Sequence, residues 1–230
     1  MCGRFTLTKS GEEVAEAFGL DEPPELVPRY NIAPSQPVLA VQQLAHEAKR
    51  RAALLRWGLK SAPDDKPLIN ARSETAATRG AFRDSFARRR CLVPADGFYE
   101  WQGPKGTKNR QPFHLRLQGG ALFGFAGLWE PGPEGEAGTL ALLTTAPNSV
   151  VERIHDRMPV ILPAADYARW LDPATPPPAL RPLLGPYPAA RLEAFPVGLA
   201  VNNARLDDPS CLDPAGEPRG PTGGQGRLLV

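Results

Sequence analysis

Long apolar runs are missing from this chain. Nowhere do its 230 residues hold the roughly 20 consecutive apolar positions that a membrane-spanning helix needs. The N-terminus shows no basic-then-apolar leader, so the sequence reads as a cytoplasmic protein without a membrane partner. Cysteine is scarce: Cys2, Cys91 and Cys211 have no paired spacing, which argues against a disulfide framework and fits a reducing compartment. Those cysteines and the three histidines show no close ligand pairing, so a zinc site is not expected either. A large charge of one sign is also lacking. The net charge is only +2, and global electrostatics do not announce a nucleic-acid surface. Even lysine is rare. Six of the 27 basic residues are lysine and the other 21 arginine, many of them crowded between Arg72 and Arg90. Arginine is the better phosphate fork, so any anion-binding patch must be local.

What is present fits one globular unit. Hydrophobic residues make up 42% and charged residues 23%, and 230 residues are enough for a substantial core. Ser10-Gly11-Glu12-Glu13 is a capping box ahead of Val14, Ala15, Ala17 and Phe18, with Gly19 as a stop, and predicts a helix over 10–18. Residues 21–36 are proline-rich and read as an extended loop. Strand character follows at 37–43 and 50–58, and a second helix with a basic outer face is expected over 78–90. Short apolar or alternating runs at 91–93, 97–101, 113–117, 121–129 and 139–145 predict strands, separated by turns at 103–111 and 131–138. A helix is expected over 164–171, a proline-punctuated loop over 172–179, and a loose Gly/Pro-rich tail from Asp213. With no internal repeat and no sharp shift in composition, one α+β domain dominated by a mixed or antiparallel sheet is the economical reading.

The chain opens Met1-Cys2-Gly3-Arg4-Phe5. Loss of Met1 would leave Cys2 with an α-amine and a thiol on adjacent carbons. An amine condenses with an aldehyde to an imine, and a neighbouring thiol closes onto that imine as a five-membered thiazolidine. Both groups titrate near neutrality when unperturbed, at roughly 7.7–8.0 and 8.5. Closure within one residue has the large effective concentration of an intramolecular reaction.

Three further segments look unlike ordinary core: 68–75 with Asn70 and Arg72, 97–101 with Glu100 between Tyr99 and Trp101, and 154–159 with His155 and Arg157. Each has a plainer reading. Asn70 suits a turn cap, Glu100 an ion pair on an exposed sheet face, His155 a satisfied structural histidine, and the arginines solvation. Against that, a carboxyl between two aromatic residues invites a pKa raised by desolvation, the usual route to a general acid near neutral pH. A histidine is the natural proton shuttle.

Met1–Phe5, Tyr30-Asn31-Ile32-Ala33-Pro34, Arg56-Trp57-Gly58-Leu59, Ile69–Thr75, Gly97–Trp101 and Ile154–Pro159 resemble, in order, the motifs of the SOS-response-associated peptidase (SRAP) family, and Val197–Pro209 is similar to its closing motif. The resemblance covers residues 1 to about 209. It implies a single α+β domain over 1–212 with a mixed or antiparallel, barrel-like β core and short flanking helices, and the Gly/Pro-rich composition beyond it predicts a flexible tail over 213–230. It also implies a monomeric sensor of abasic sites in single-stranded DNA that crosslinks itself to the opened sugar through Cys2. On the same basis Asn70 positions the cysteine and the sugar, Glu100 is the acid/base, and His155 acts on the sugar oxygen and on reversal. Arg4, Asn31, Arg72 and Arg157 are expected to line the DNA groove, with no metal or organic cofactor. Many members of that family carry a DNA-stacking tryptophan between the positions of Gly58 and Asn70. This chain reads Lys60-Ser61-Ala62-Pro63-Asp64-Asp65 there, which implies altered affinity or junction preference, since one stacked base is worth roughly 1–3 kcal/mol. Trp57 is expected in the core and not as a substitute.

Competing activities remain open at this level. Class II glutamine amidotransferases also begin Met-Cys-Gly, although Arg4-Phe5, the later motifs and the lack of a synthase domain argue against that reading. Thiol, imidazole and carboxyl could form a peptidase set, and arginines alone could bind single strands reversibly.

Overall fold

The computed structural model describes residues 2–44, 49–60, 66–104, 106–107 and 110–216. In chain order its elements are β1 (Phe5–Leu7), α1 (Gly11–Phe18), β2 (Arg29–Ile32), β3 (Pro37–Gln42), β4 (Arg51–Trp57), β5 (Asn70–Arg72), α2 (Gly80–Arg88), β6 (Arg90–Ala95) and β7 (Gly97–Gln102). They continue with β8 (Gln111–Leu117), β9 (Phe123–Glu130), β10 (Thr139–Thr145), β11 (Met158–Pro159), β12 (Ile161–Leu162), α3 (Tyr167–Leu171), α4 (Pro177–Leu180) and β13 (Leu192–Pro196).

The first helix forms as its sequence dictates. Ser10 Oγ accepts from the Glu13 amide while the Glu13 carboxylate accepts from the Ser10 amide, closing the capping box. Gly19 stops the helix in the left-handed conformation at φ 65°. The second helix is shorter than its apolar spacing suggested, because Arg90 already belongs to β6. Two expected loops also hold regular structure. The 21–36 segment contains β2, which pairs with β1, and the 172–179 segment gives way to α4 at Pro177, a residue suited to a first helical turn. The 164–171 helix begins as a 3-10 turn over Ala164–Asp166 before α3.

Strands β10, β4, β3, β6 and β9 pair in succession, and β9 pairs back with β10 to close a ring. Every contact in the ring is antiparallel except β4–β10. Geometry demands this, since directions cannot alternate all the way around an odd number of strands. The result is a mixed, barrel-like core. A second sheet, ordered β13-β8-β7-β1-β2, lies against it. Period-two alternation divides the faces of this second sheet. Phe5 and Phe98 point to the ring, where both rings contact Phe125 at centroid distances of 5.7 and 6.1 Å. Tyr99 and Trp101 point the other way, into a small cluster with Val197, Val201 and Cys211 from the C-terminal segment.

The parallel β4–β10 pairing lasts only two residue pairs. Gly58, at φ 135°, turns the chain away after its amide bonds the Leu140 carbonyl, and a Cβ there would stand 2.7 Å from Pro67 Cβ. Leu59 and Leu68 pair across the neck of the excursion, and β5 then resumes the parallel pairing, with Asn70 opposite Leu142. Residues 61–65 of the substituted 60–65 stretch lie outside the described residues. Trp57 is buried, with Nε1 donating to the Ile69 carbonyl at 2.9 Å, as its sequence context predicts. Residues 217–230 of the expected tail lie outside the described residues, whereas Pro214 pairs with Val197. Among the described residues no helix is long and apolar enough to cross a membrane.

Candidate active site

The excursion between β4 and β5 delivers Asn70 to Cys2. Its Nδ2 donates to the Cys2 carbonyl at 2.8 Å, so the amide holds the cysteine main chain and does not cap the following turn. Asn70 Oδ1 is buried and has no hydrogen-bond partner among the described residues. Cys2 itself is fully buried, with Sγ 3.9 Å from the Arg4 carbonyl. Burial, reinforced by the Glu100 carboxylate, pushes the thiol well above its ordinary range. At rest this sulfur is a thiol and not a thiolate.

Glu100 shares the inner face of β7 with Phe98 and is 2% exposed, so it is not a residue of a solvated sheet face. Desolvation raises its carboxyl from 4.5 to about 7. His155 follows the 3-10 turn Val151–Arg153 and is also buried. Its Nε2 lies 3.9 Å from Glu100 Oε2. On the other edge of the ring, Nδ1 accepts the Arg157 amide proton at 3.0 Å, while Asp156 Oδ1 and the Arg157 carbonyl each lie 3.1 Å away. The first contact suits a neutral ring with its proton on Nε2, facing Glu100. The other two suit a proton on Nδ1 when the ring is charged. Cys2, Asn70, Glu100 and His155 therefore gather around one buried point where protons can be given and taken.

The four residues expected along a DNA groove behave differently from one another. Arg4 is half-buried, and its Nη1 donates to Asn31 Oδ1 at 2.9 Å and to the Val201 carbonyl at 2.6 Å. Among the described residues no carboxylate pairs with it. Arg72 is exposed at the end of β5. Arg157 is engaged: its two terminal nitrogens grip the Glu74 carboxylate at 2.6 and 2.9 Å, which holds that carboxyl below its usual range. Asn31 is fully buried, with Nδ2 directed at the carbonyls of Val201, Asn203 and Leu206, and it reaches no solvent.

Sequence reasoning missed the walls of the opening. An open cleft of about 410 Å³ is lined by Gly3, Arg4, Pro34, Trp101, Arg110 and Asn202. The Arg4 guanidinium stands 5.9 Å from the centre of the Trp101 ring. Trp101 shares with Tyr99 the face of β7 that carries the C-terminal cluster, as period-two alternation requires. Arg110 and Asn202 carry no local signal, because distant segments bring them there. A second hollow of about 340 Å³, around His114, Phe195 and Leu212, contains none of the residues gathered near Cys2.

Comparison with known proteins shows the family. The family model described as "SOS response associated peptidase (SRAP)" matches residues 1–204. The chain is 40% identical to abasic site processing protein YoqW of Bacillus subtilis over 225 residues, covering 93% of this chain and 99% of that one. It is 32% identical to abasic site processing protein YedK of Escherichia coli, covering 93% of this chain and all of the relative. A crystal structure of a Bacteroides thetaiotaomicron protein superposes with a TM-score of 0.78 at 22% identity, covering 93% of this chain and all of that one, a likeness of fold. The chain belongs to the SOS-response-associated peptidase family.

Proposed function

We propose that this chain processes abasic sites in single-stranded DNA, acting as a cytoplasmic monomer that crosslinks itself to the lesion through Cys2 once Met1 has been removed. The Cys2 amine adds to the C1′ aldehyde of the ring-opened deoxyribose, and loss of water gives an imine. The thiol then adds across the C=N bond. Sulfur bonds to C1′, the thiol proton passes to nitrogen, and a thiazolidine closes. Glu100, poised near neutrality, supplies the proton that opens the sugar and expels water, and His155 carries protons to and from the sugar oxygen. Asn70 fixes the cysteine main chain and turns Oδ1 to the sugar. The imine also permits β-elimination, so weak strand cleavage accompanies the main reaction.

The observation that carries this reading is Cys2 held by Asn70 in a buried site beside a carboxyl raised to about 7. A buried thiol kept protonated is a poor protease nucleophile, which attacks as the thiolate, whereas imine chemistry begins at the amine and needs the sulfur only for closure. Intact mass spectrometry, before and after mixing with an abasic oligonucleotide, tests the proposal. The expected product is the protein without Met1 plus the DNA strand less one water, absent with an undamaged strand and with Cys2→Ala. Lesion capture by protein that retains Met1 refutes it, and amide or peptide hydrolysis without DNA would restore the hydrolase reading.

A further inference from the structure

The arginine best placed to meet a phosphate owes its position to a segment far away in sequence. Residues 199–212 form a strap of two 3-10 turns, Leu199–Asn202 and Pro209–Leu212, laid over the outer face of the second sheet. Asp207 pins it. Its Oδ1 accepts the main-chain N–H groups of Tyr30 and Asn31 at 2.6 and 2.8 Å, and its Oδ2 accepts from Arg29 Nε. The strap thereby supplies the acceptors that an edge strand, β2, would otherwise leave to water. Three strap carbonyls in turn receive the Asn31 side-chain amide, at 3.3, 3.0 and 2.7 Å. That leaves Asn31 Oδ1 aimed at Arg4 Nη1, which also donates to the strap carbonyl of Val201. The strap's Asn202 Oδ1 accepts from Trp101 Nε1 at 2.7 Å, fixing the ring beside Arg4.

We propose that Asp207 and Asn31 are positioning residues: through the strap they hold the Arg4 guanidinium at the cleft mouth, oriented for one DNA phosphate, and neither touches DNA. This inference rests on the DNA reading above. Asn31 is fully buried and its amide is fully committed, so it has no group left for a ligand. Among the described residues only Nη1 of Arg4 is engaged, so Nε and Nη2 remain to grip an anion as a fork. Anchoring by neutral oxygens keeps the guanidinium charge available, in contrast to Arg157 in its Glu74 pair.

The test measures binding of an undamaged single-stranded oligonucleotide as a function of salt, alongside the single-turnover crosslinking rate on an abasic strand at saturating DNA. Asp207→Ala should weaken binding roughly tenfold, the worth of one charge-assisted contact. It should also lower the slope of log K against log salt by about 0.7, one phosphate on a single strand. The saturated crosslinking rate should remain within about twofold of wild type, since no proton carrier has moved. Asp207→Asn keeps an acceptor for the two β2 amides and should restore most of the affinity. Arg4→Ala should reproduce the slope loss and add little to Asp207→Ala. Asn31→Ala, which leaves the Asp207 pin in place, should show the same slope loss and guards against a fold defect in Asp207→Ala. An unchanged slope in both Asp207→Ala and Asn31→Ala, or losses that simply add to that of Arg4→Ala, overturns the positioning role while leaving the crosslinking reading intact. A wild-type protein that forms no adduct with the abasic strand refutes the functional reading itself.

Discussion

Glu100 offers the sharpest perturbation, because the burial that equips it for proton transfer must also destabilise the protein. A carboxyl raised from 4.5 to about 7 in the folded state binds its proton more tightly there than in the unfolded chain. The sign follows by linkage. Its stabilising contribution is complete below about 4.5, falls as pH rises, and is gone once pH passes about 7. At roughly 1.4 kcal/mol per pKa unit, the ionised form costs about 3 kcal/mol. For a chain of this size each kcal/mol moves Tm by roughly 2–4 °C, so the effect amounts to about 6–12 °C. Glu100→Gln has nearly the same shape and no proton to lose. Its Tm should match wild type near pH 4 and exceed it by several degrees near pH 8, because every other titrating group is common to both proteins. The same variant should crosslink abasic DNA about a hundredfold more slowly, the lower end of what a general acid contributes. Thermal unfolding of both proteins across that pH range, paired with crosslinking time courses, gives the answer. A Tm difference that does not change with pH would refute the burial argument, and undiminished crosslinking would remove the proton-carrier role.

Two other substitutions probe neighbouring features. Glu74→Gln releases the Arg157 fork from its carboxylate partner, and single-strand binding should tighten about threefold with a steeper salt dependence, read by titration at several salt concentrations. Arg90 is buried and donates to the carbonyls of Phe86, Ala87, Trp170, Asp172 and Thr175, joining α2 to α3 and the segment after it. Lysine cannot reach all five, so Arg90→Lys should cost about 2–4 kcal/mol in urea unfolding while leaving crosslinking per folded molecule unchanged.

Local code wrote α1 completely: the capping box and the left-handed glycine are nearest-neighbour chemistry, and they appear as read. Most strands of the ring were legible too, since β3, β4 and β10 are apolar runs bounded by turn residues. The expected lengths failed where a tertiary partner intervened. Arg90 looked like the end of a basic helix, yet its guanidinium is drawn inward by five carbonyls and its backbone joins β6. The strand β2 hid in a proline-rich loop because its Tyr30 and Asn31 amides are answered by Asp207, 177 and 176 residues away.

The order of residues by itself determined which chemistry this protein carries: a cysteine behind the initiator, a carboxyl between aromatic residues, a histidine amid charge, and the motifs that identify the family. The tertiary structure alone decided what those groups became. Burial lifted the carboxyl toward neutrality and kept the thiol protonated, and the excursion at Gly58 carried Asn70 to the Cys2 carbonyl. Of two arginines with the same formal charge, Glu74 neutralised one, while the other is anchored by neutral oxygens, Asn31 Oδ1 and the Val201 carbonyl. Desolvation and pairing depend on which segments meet in space, and no local pattern records that.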